Sequence, residues 1–284
     1  MPASGLKDKV AIVTGAAGGL GQAAARRLSE EGVKVVAVDL DAEAAQKTAA
    51  NLPGEAFAVG SDVSSEEGVE HYMAEAVKAF GTVDFHFLNA GIAGSLAELV
   101  DVPVNEWDKV MAVNLRGPFL GIRAAFRQYL AEGTTGAVVV TSSIAGSRGS
   151  NDLLAYTTSK HGVVGLVHGA AVYGGPIGVR VNGIAPGIVP TSIFGPSGQA
   201  DMIRRAGTSP LRRPGTPEEI AGSVAFLLSD DATYITGEIL SIDGGANIQN
   251  TNRNAGGAGL WDVSITDETI LRRHRDEHTN TARP

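Results

Sequence analysis

Tyr156 and Lys160 stand four residues apart in the stretch AYTTSK, residues 155–160. On a helix that spacing puts a phenol and an amine on one face, one turn apart. A tyrosine hydroxyl ordinarily titrates near 10, too high for efficient proton exchange at neutral pH, and a nearby cation favours the phenolate. The pair can therefore make an acid/base usable near neutrality. The bland alternative is a solvated helix face, because these two residue types often meet at this spacing.

A second constellation lies near the start of the chain. TGAAGGLG, Thr14 to Gly21, follows a Val/Ile-rich run and opens an Ala-rich one. Glycines in such a place let the backbone turn tightly and approach a pyrophosphate, whose charge is met by the helix N-terminus. A strand-to-helix turn with no ligand would use the same residues. Asp39 ends the next Val-rich run, about twenty residues beyond the glycines. Its carboxylate can accept hydrogen bonds from both ribose hydroxyls of NAD and would repel the additional phosphate of NADP. As a helix cap it competes with Asp41, which is equally well placed. Neither Arg nor Lys occurs from Gly15 to Leu20 or beside Asp39 to receive a 2′-phosphate.

In combination these stretches resemble the short-chain dehydrogenase/reductase family, over almost everything from Lys9 to Gly245. The shared pattern comprises TGAAGGLG, SDV with Asp62, NAG at 89–91, VNL with Asn114, TSS ending in Ser143, YTTSK, and PGIVPT at 186–191. The resemblance implies Tyr156 as the general acid/base, with Lys160 binding the nicotinamide ribose and depressing the phenol pKa. It implies Ser143 as the hydrogen-bond partner of the substrate oxygen, and Asn114 as the holder of a water that links Lys160 to solvent. For the cofactor, NAD, it implies Gly15, Gly19, Leu20 and Gly21 at the glycine turn, and Asp62 and Val63 at the adenine. Asn89, Ala90 and Gly91 would line the ribose floor, and Pro186, Val189 and Thr191 would clamp the carboxamide. Ser142 and Ser150 are decoys by spacing. Asn114 could instead be a core amide that distorts its helix, Asp62 a cap for the next helix, and Asn89 a stitch between strands. Two departures stand out. Leu88 replaces the first Asn of the family's usual NNAG, and Tyr173-Gly174-Gly175 replaces a stretch that usually carries an acidic residue. The helix that ends there is often an oligomer interface in the family, so a homo-oligomer, by resemblance a tetramer, is expected.

The elements that must position these groups are legible as alternation. Short Val/Ile-rich runs (VAIVTG, VKVVAVDL, FAVGSDV, VDFHFLNAG, AVVVTSS, VRVNGIAPG, EILSIDGG) are separated by longer helical segments. That is the pattern of βαβ units. The expected fold is α/β: a Rossmann-type doubly wound, seven-stranded parallel sheet with helices on both faces, forming a single catalytic domain over residues 1–245. One helix is predicted from about Leu153 to Tyr173, and another opens at Thr216-Pro217, where Glu218 and Glu219 complement the exposed N–H groups. Residues 187–215 hold four prolines and read as a long substrate loop with one short helix, in the position of a lid. Residues 246–284 form a C-terminal extension, expected either to dock on a neighbouring subunit through Trp261 or to be disordered.

Bulk composition narrows the partners. The 284-residue chain is 43% hydrophobic and 19% charged, which suits a globular protein. A net charge of -8 argues against nucleic acid, since no basic surplus exists to displace counterions from phosphates. There is no cysteine, and the N-terminal run has neither a signal-peptide layout nor the length of a membrane span. A reducing cytoplasmic setting and no membrane partner are expected. The six histidines form no paired ligand motif, so no metal is expected. The family resemblance implies a pocket built from Ile144, Ala145, Ser147, residues 151–154, Ile188, Ile193 and Phe194. These are mostly apolar, which favours an apolar or cyclic secondary alcohol or its ketone. Arg148, Arg204 and Arg205 are the cations that could instead hold an anion. Competing readings are a dinucleotide-binding redox sensor without turnover and a 3-oxoacyl (acyl-carrier-protein) reductase-like enzyme. The latter usually prefers NADP, which Asp39 opposes. A sugar-nucleotide epimerase would need a larger C-terminal domain than follows Ile242.

Overall fold

The computed structural model describes residues 3–150, 152–207 and 209–248, with backbone alone at 194–199. Seven strands form one parallel sheet: β1 Val10–Thr14, β2 Lys34–Asp39, β3 Ala56–Gly60, β4 Phe85–Leu88, β5 Ala137–Thr141, β6 Arg180–Pro186 and β7 Ile239–Ile242. Their order is β3-β2-β1-β4-β5-β6-β7. Each predicted strand is present, but the ladders stop before the polar ends of the runs. Ser61–Val63, Asn89–Gly91 and Ser142–Ser143 lie beyond them, as loops at the C-terminal edge of the sheet.

Both faces of the sheet are buried, which explains the near-continuous Val/Ile runs. Side chains alternate across it with period two. Ala11, Val13, Val35, Ala37 and Val139 join one core with Leu28, Ile220 and Val224. Val10, Ile12, Val36 and Val38 point the other way, towards Val69, Tyr72 and Leu120, while Val138, Val140 and Val181 meet Ile122, Val163 and Val167. Full burial of one such side chain contributes about 1.5–3 kcal/mol, more than the ~1 kcal/mol spanned by β-propensity. Burial therefore decides the strands.

Among the described residues eight α-helices complete the layers: α1 Gly19–Glu30, α2 Ala42–Ala50, α3 Glu66–Phe80, α4 Val104–Met111, α5 Gly117–Glu132, α6 Leu154–Gly174, α7 Gly195–Ala206 and α8 Pro217–Leu228. α8 starts as expected. Thr216 and Glu219 form a reciprocal capping box, and Pro217 sits in the first turn. α4 and α5 are one long helix interrupted by a π-turn at Ala112–Arg116, which carries Asn114. The loop 187–215 contains α7, twelve residues long. Among the described residues no helix is long and apolar enough to cross a membrane. The tail from residue 249 onward, with Trp261, lies outside the described residues, as do Asn151 and the side chain of Phe194.

Strand order reverses between β1 and β4, whose neighbours continue outward in opposite directions. At such a switch point the loops leaving the C-terminal strand ends diverge and open a crevice.

Candidate active site

The crevice is a cavity of about 590 Å³. Its walls come from the loops after β1, β2, β4, β5 and β6, from α6, and from α7 of the 187–215 segment. Gly15, Gly19, Leu20, Asp39, Asn89, Ala90, Gly91, Ser143, Tyr156, Lys160, Pro186, Val189 and Thr191 all line it. Thirteen expected positions, drawn from six separate stretches of chain, thus line one cavity. Gly21, Asn114, Asp62 and Val63 do not line it. Asp62 instead accepts from the Ser64 amide (2.9 Å) and hydroxyl (2.7 Å), while Val63 packs on the core that includes Tyr72. The helix-capping role open to Asp62 falls to Ser65, whose hydroxyl accepts from the Gly68 amide at the start of α3.

The glycine turn is shaped by contact as well as by backbone freedom. Gly15 adopts φ +68°, a conformation L side chains rarely take. A Cβ on Gly21 would lie 2.0 Å from the Gly15 carbonyl oxygen, so α1 can start this close to β1 only with glycine there. The N-terminus of α1 has no side-chain cap and no acidic residue in its first turn. α2, α3 and α8 are each capped by a side chain, from Asp41, Ser65 and Thr216. The open end of α1 thus presents N–H groups and the positive end of the helix dipole towards the cavity, an arrangement that suits a pyrophosphate.

Asp39 is fixed rather than free. Its Oδ2 accepts from the Ala17 amide at 2.9 Å and its Oδ1 from the Asp41 amide at 3.2 Å. The capping of α2 belongs to Asp41, whose Oδ1 accepts from Ala44 at 3.0 Å. A carboxylate held at the cavity edge beside the glycine turn fits ribose hydroxyls and disfavours a phosphate in the same place.

Behind the cavity runs a continuous polar network. The Thr14 hydroxyl accepts from the amides of Asn89 (2.9 Å) and Ala90 (3.1 Å). Asn89 Nδ2 donates to the Thr14 carbonyl at 3.1 Å, and its Oδ1 accepts from the Thr141 hydroxyl at 3.1 Å. Asn89 therefore stitches β1, β4 and β5 together while its residue lines the cavity. The Thr141 carbonyl accepts from Lys160 Nζ at 2.8 Å. Asn114, fully buried, grips the backbone of Ile92: Oδ1 accepts from the Ile92 amide and Nδ2 donates to the Ile92 carbonyl, each at 2.9 Å. Nδ2 also reaches the Ser159 hydroxyl at 3.2 Å, which itself donates to the Tyr156 carbonyl at 2.7 Å. A Cβ on Gly91 would sit 3.3 Å from Asn114 Oδ1 and 3.7 Å from Lys160 Nζ. A larger residue there would crowd both.

Tyr156 and Lys160 belong to α6, whose buried stripe continues as Val163, Val167, Ala171 and Gly174. That 3–4 spacing seats the helix on β5 and β6 and carries Lys160 inside with it. Lys160 Nζ lies 5.5 Å from the centroid of the Tyr156 ring. Burial pulls the Lys160 ammonium down to about 8. Desolvation pushes the Tyr156 phenol above its ordinary value, and a hydrogen bond with the Ser143 side chain acts in the opposite sense. The expectation that the ammonium sets the phenol's pKa meets a competing effect here, because low polarity penalises both charged forms. Ser143 also caps a short 3-10 turn, accepting from the Ala145 amide at 3.1 Å. The decoys are occupied elsewhere: Ser142 donates to the Lys160 carbonyl at 3.1 Å, and Ser150 bonds Asp152.

The substrate side of the cavity is lined by Ile144, Ala145, Leu153, Ile188, Ile193 and Met202. Of the three cations named from sequence, Arg148 is bound to Asn247 and Ala246 and Arg204 to Asp201. Arg205 lines the cavity and lies 3.7 Å from Asp201. Sequence reasoning missed Thr14, Thr141 and Ser159 as positioning groups. Each lies inside a motif already singled out, but its partner is up to 76 residues away in the chain.

The family model described as enoyl-(acyl carrier protein) reductase matches residues 15–247. Levodione reductase of Leifsonia aquatica is 38% identical over 257 residues, covering 86% of this chain and 96% of that protein. Cyclohexanol dehydrogenase of Acinetobacter sp. is 38% identical over 240 residues, covering 84% and 94%. A crystal structure of levodione reductase matches with TM-score 0.81 at 37% identity, over 85% of this chain and 98% of that one. The structure of NAD+-bound xylitol dehydrogenase matches with TM-score 0.78 at 36% identity, over 85% and 100%. The chain belongs to the short-chain dehydrogenase/reductase family and has the fold of its oxidoreductases.

Proposed function

We propose that this protein is an NAD-dependent oxidoreductase acting on an apolar or cyclic secondary alcohol or the corresponding ketone. The observation that carries the reading is the Tyr156 phenol, with Ser143 in the same cavity and Lys160 one turn away, facing the space that the open N-terminus of α1 and Asp39 also border. When bound, NAD supplies the hydride acceptor or donor.

In alcohol oxidation Tyr156 takes the hydroxyl proton; in ketone reduction it returns it. Ser143 donates to the substrate oxygen and holds it beside the phenol, which converts a diffusive encounter into an oriented one. Lys160 anchors the nicotinamide ribose, and Asn114 keeps the β4 loop and α6 in register, with a water relaying protons from Lys160. Asp39 selects NAD over NADP. Gly15, Gly19, Leu20 and Gly21 receive the pyrophosphate, Asn89 to Gly91 the ribose, and Pro186, Val189 and Thr191 the carboxamide. Asp62 and Val63 would meet the adenine beyond the cavity wall. The apolar substrate wall and the resemblance to a cyclohexanol dehydrogenase support a cyclic alcohol, and the resemblance to an NAD+-bound dehydrogenase supports the cofactor. The same reading takes residues 1–245 as the catalytic domain of a cytoplasmic homotetramer.

The test is nicotinamide absorbance with NAD and with NADP across cyclic, terpenoid and polyol secondary alcohols, their ketones, and a 3-oxoacyl thioester. Turnover of a cyclic alcohol with NAD, reduced about 10²–10⁴-fold in Tyr156→Phe while NADH still binds, is the expected result. Preference for the thioester would replace the substrate class. NADH binding without any turnover would favour a redox sensor.

A further inference from the structure

The segment leaving β7 touches both walls of the substrate side. Asn247 Oδ1 accepts from the Ser147 hydroxyl at 2.9 Å and from Arg148 Nε at 3.0 Å, and Arg148 Nη2 donates to the Ala246 carbonyl. Ser147 and Arg148 directly follow the 3-10 turn Ile144–Gly146, which Ser143 caps and whose Ile144 and Ala145 line the cavity. Asp243 shapes the segment from within, accepting from the Gly245 amide at 2.9 Å and the Asn247 amide at 2.6 Å. The Gly244 carbonyl then accepts from the Leu211 amide at 3.1 Å, at the far end of the 187–215 segment. Five residues after β7 therefore join the Ser143 turn on one side to the base of the substrate loop on the other.

We propose that Asn247, acting with Arg148, is a positioning residue that sets where the Ser143 turn stands relative to Tyr156, and thereby the width of the substrate pocket. This rests on the reading of Ser143 as the group that holds the substrate oxygen. Neither Asn247 nor Arg148 belongs to the glycine turn, the Asp39 edge or the Tyr156–Lys160 pair, so cofactor binding is spared when they are changed. The arrangement is chemically economical: an amide oxygen with two lone pairs accepts from both donors, and a guanidinium donates to two acceptors at once. The turn that carries Ser143 has only three 3-10 residues after the cap, so it gains its rigidity from outside.

The experiment uses the full chain and the best alcohol substrate from the panel above, with four readouts: kcat, KM for the alcohol, NADH affinity by fluorescence, and melting temperature. Asn247→Leu removes the acceptor at similar volume, and Arg148→Met removes both donors. Each is expected to lower kcat/KM for the alcohol by about 10²-fold, the scale of an ångström-level misplacement, with NADH affinity and melting temperature unchanged. Arg148→Lys, which keeps one donor, should fall between wild type and Arg148→Met. A loss of NADH affinity or melting temperature in parallel with kcat/KM would overturn the positioning role in favour of general structural support. Unchanged kcat/KM in both variants would overturn it outright. An inactive wild type that binds NADH would refute the underlying reading instead, so the two failures are distinguishable.

Discussion

Two groups of buried polar side chains flank the middle of the same sheet, and they are built on opposite terms. Around Asn114, Ser159, Lys160, Thr141, Asn89 and Thr14, at the C-terminal strand ends, each side chain has a hydrogen-bond partner at 2.7–3.2 Å. Around His86 and Tyr72, within the core, His86 Nδ1 and Nε2 and the Tyr72 hydroxyl have no partner among the described residues. His86 meets Tyr129 edge-on, with ring centroids 6.0 Å apart. The first group is costly to disturb, because a bond lost there strands a desolvated partner. The second behaves as apolar filling that happens to carry heteroatoms, and its cost is already present in the folded state.

The largest effect that would sharpen this contrast is Asn114→Leu. It strands the Ile92 amide and carbonyl and frees the Ser159 hydroxyl, at about 1–3 kcal/mol for each stranded backbone group. Denaturant unfolding should show a total loss of several times RT, and turnover should fall with it, because the π-turn no longer holds the β4 loop. Stability within about 0.5 kcal/mol of wild type would break the comparison.

His86 supplies the next test, through pH. Burial lowers its pKa from 6.5 to about 3, so the folded state keeps the ring neutral while the unfolded chain protonates below 6.5. The stability contribution is intact above that value and is lost as pH falls towards about 3. Between pH 7 and pH 5 wild type should lose about 2 kcal/mol that His86→Leu retains, at about 1.4 kcal/mol per pKa unit. Equal acid sensitivity in the two proteins would show that the imidazole finds a partner on folding.

Tyr72→Phe should be the smallest change, within about 0.5 kcal/mol of wild type or slightly stabilising, since the hydroxyl forfeits no bond. Its neighbour explains the gap. Leu88 Cδ2 and the Tyr72 hydroxyl crowd the same point, 2.8 and 3.1 Å from where a Cβ on Gly121 would stand. Leu88 is the position that departs from the family's usual Asn, so an aliphatic chain abuts the phenol there.

The proposed catalytic pair, Tyr156 and Lys160, gives a kinetic counterpart. Desolvation raises the Tyr156 phenol above its ordinary value of 10, so alcohol oxidation, which needs phenolate, should still be accelerating at about pH 10, while ketone reduction, which needs the phenol, should hold its rate up to the same pH. Initial rates in both directions across a buffer series would check the sign.

What the sequence determined by itself was local. Strand–turn–helix glycines, an acidic residue at the end of β2, a Thr-Pro-Glu-Glu helix start, and a phenol and amine one turn apart are all written in contiguous residues. Their physics operates within a turn or a single βα unit, so spacing is enough to read them. The alternation of Val/Ile and Ala-rich runs similarly announced a parallel sheet, because burial on both faces demands it.

Tertiary structure alone decided which distant groups meet. Asn114 grips Ile92, 22 residues away, and reaches Ser159, 45 away, because a π-turn aims it between the β4 loop and α6. Asp62 turned to Ser64, and Asn247 came to rest on Arg148, 99 residues earlier. Whether a polar residue ends as a cap, a stitch or a cavity wall depends on which strands become neighbours. That order is a property of the whole packed sheet, since no single segment buries its own polar groups or supplies their partners.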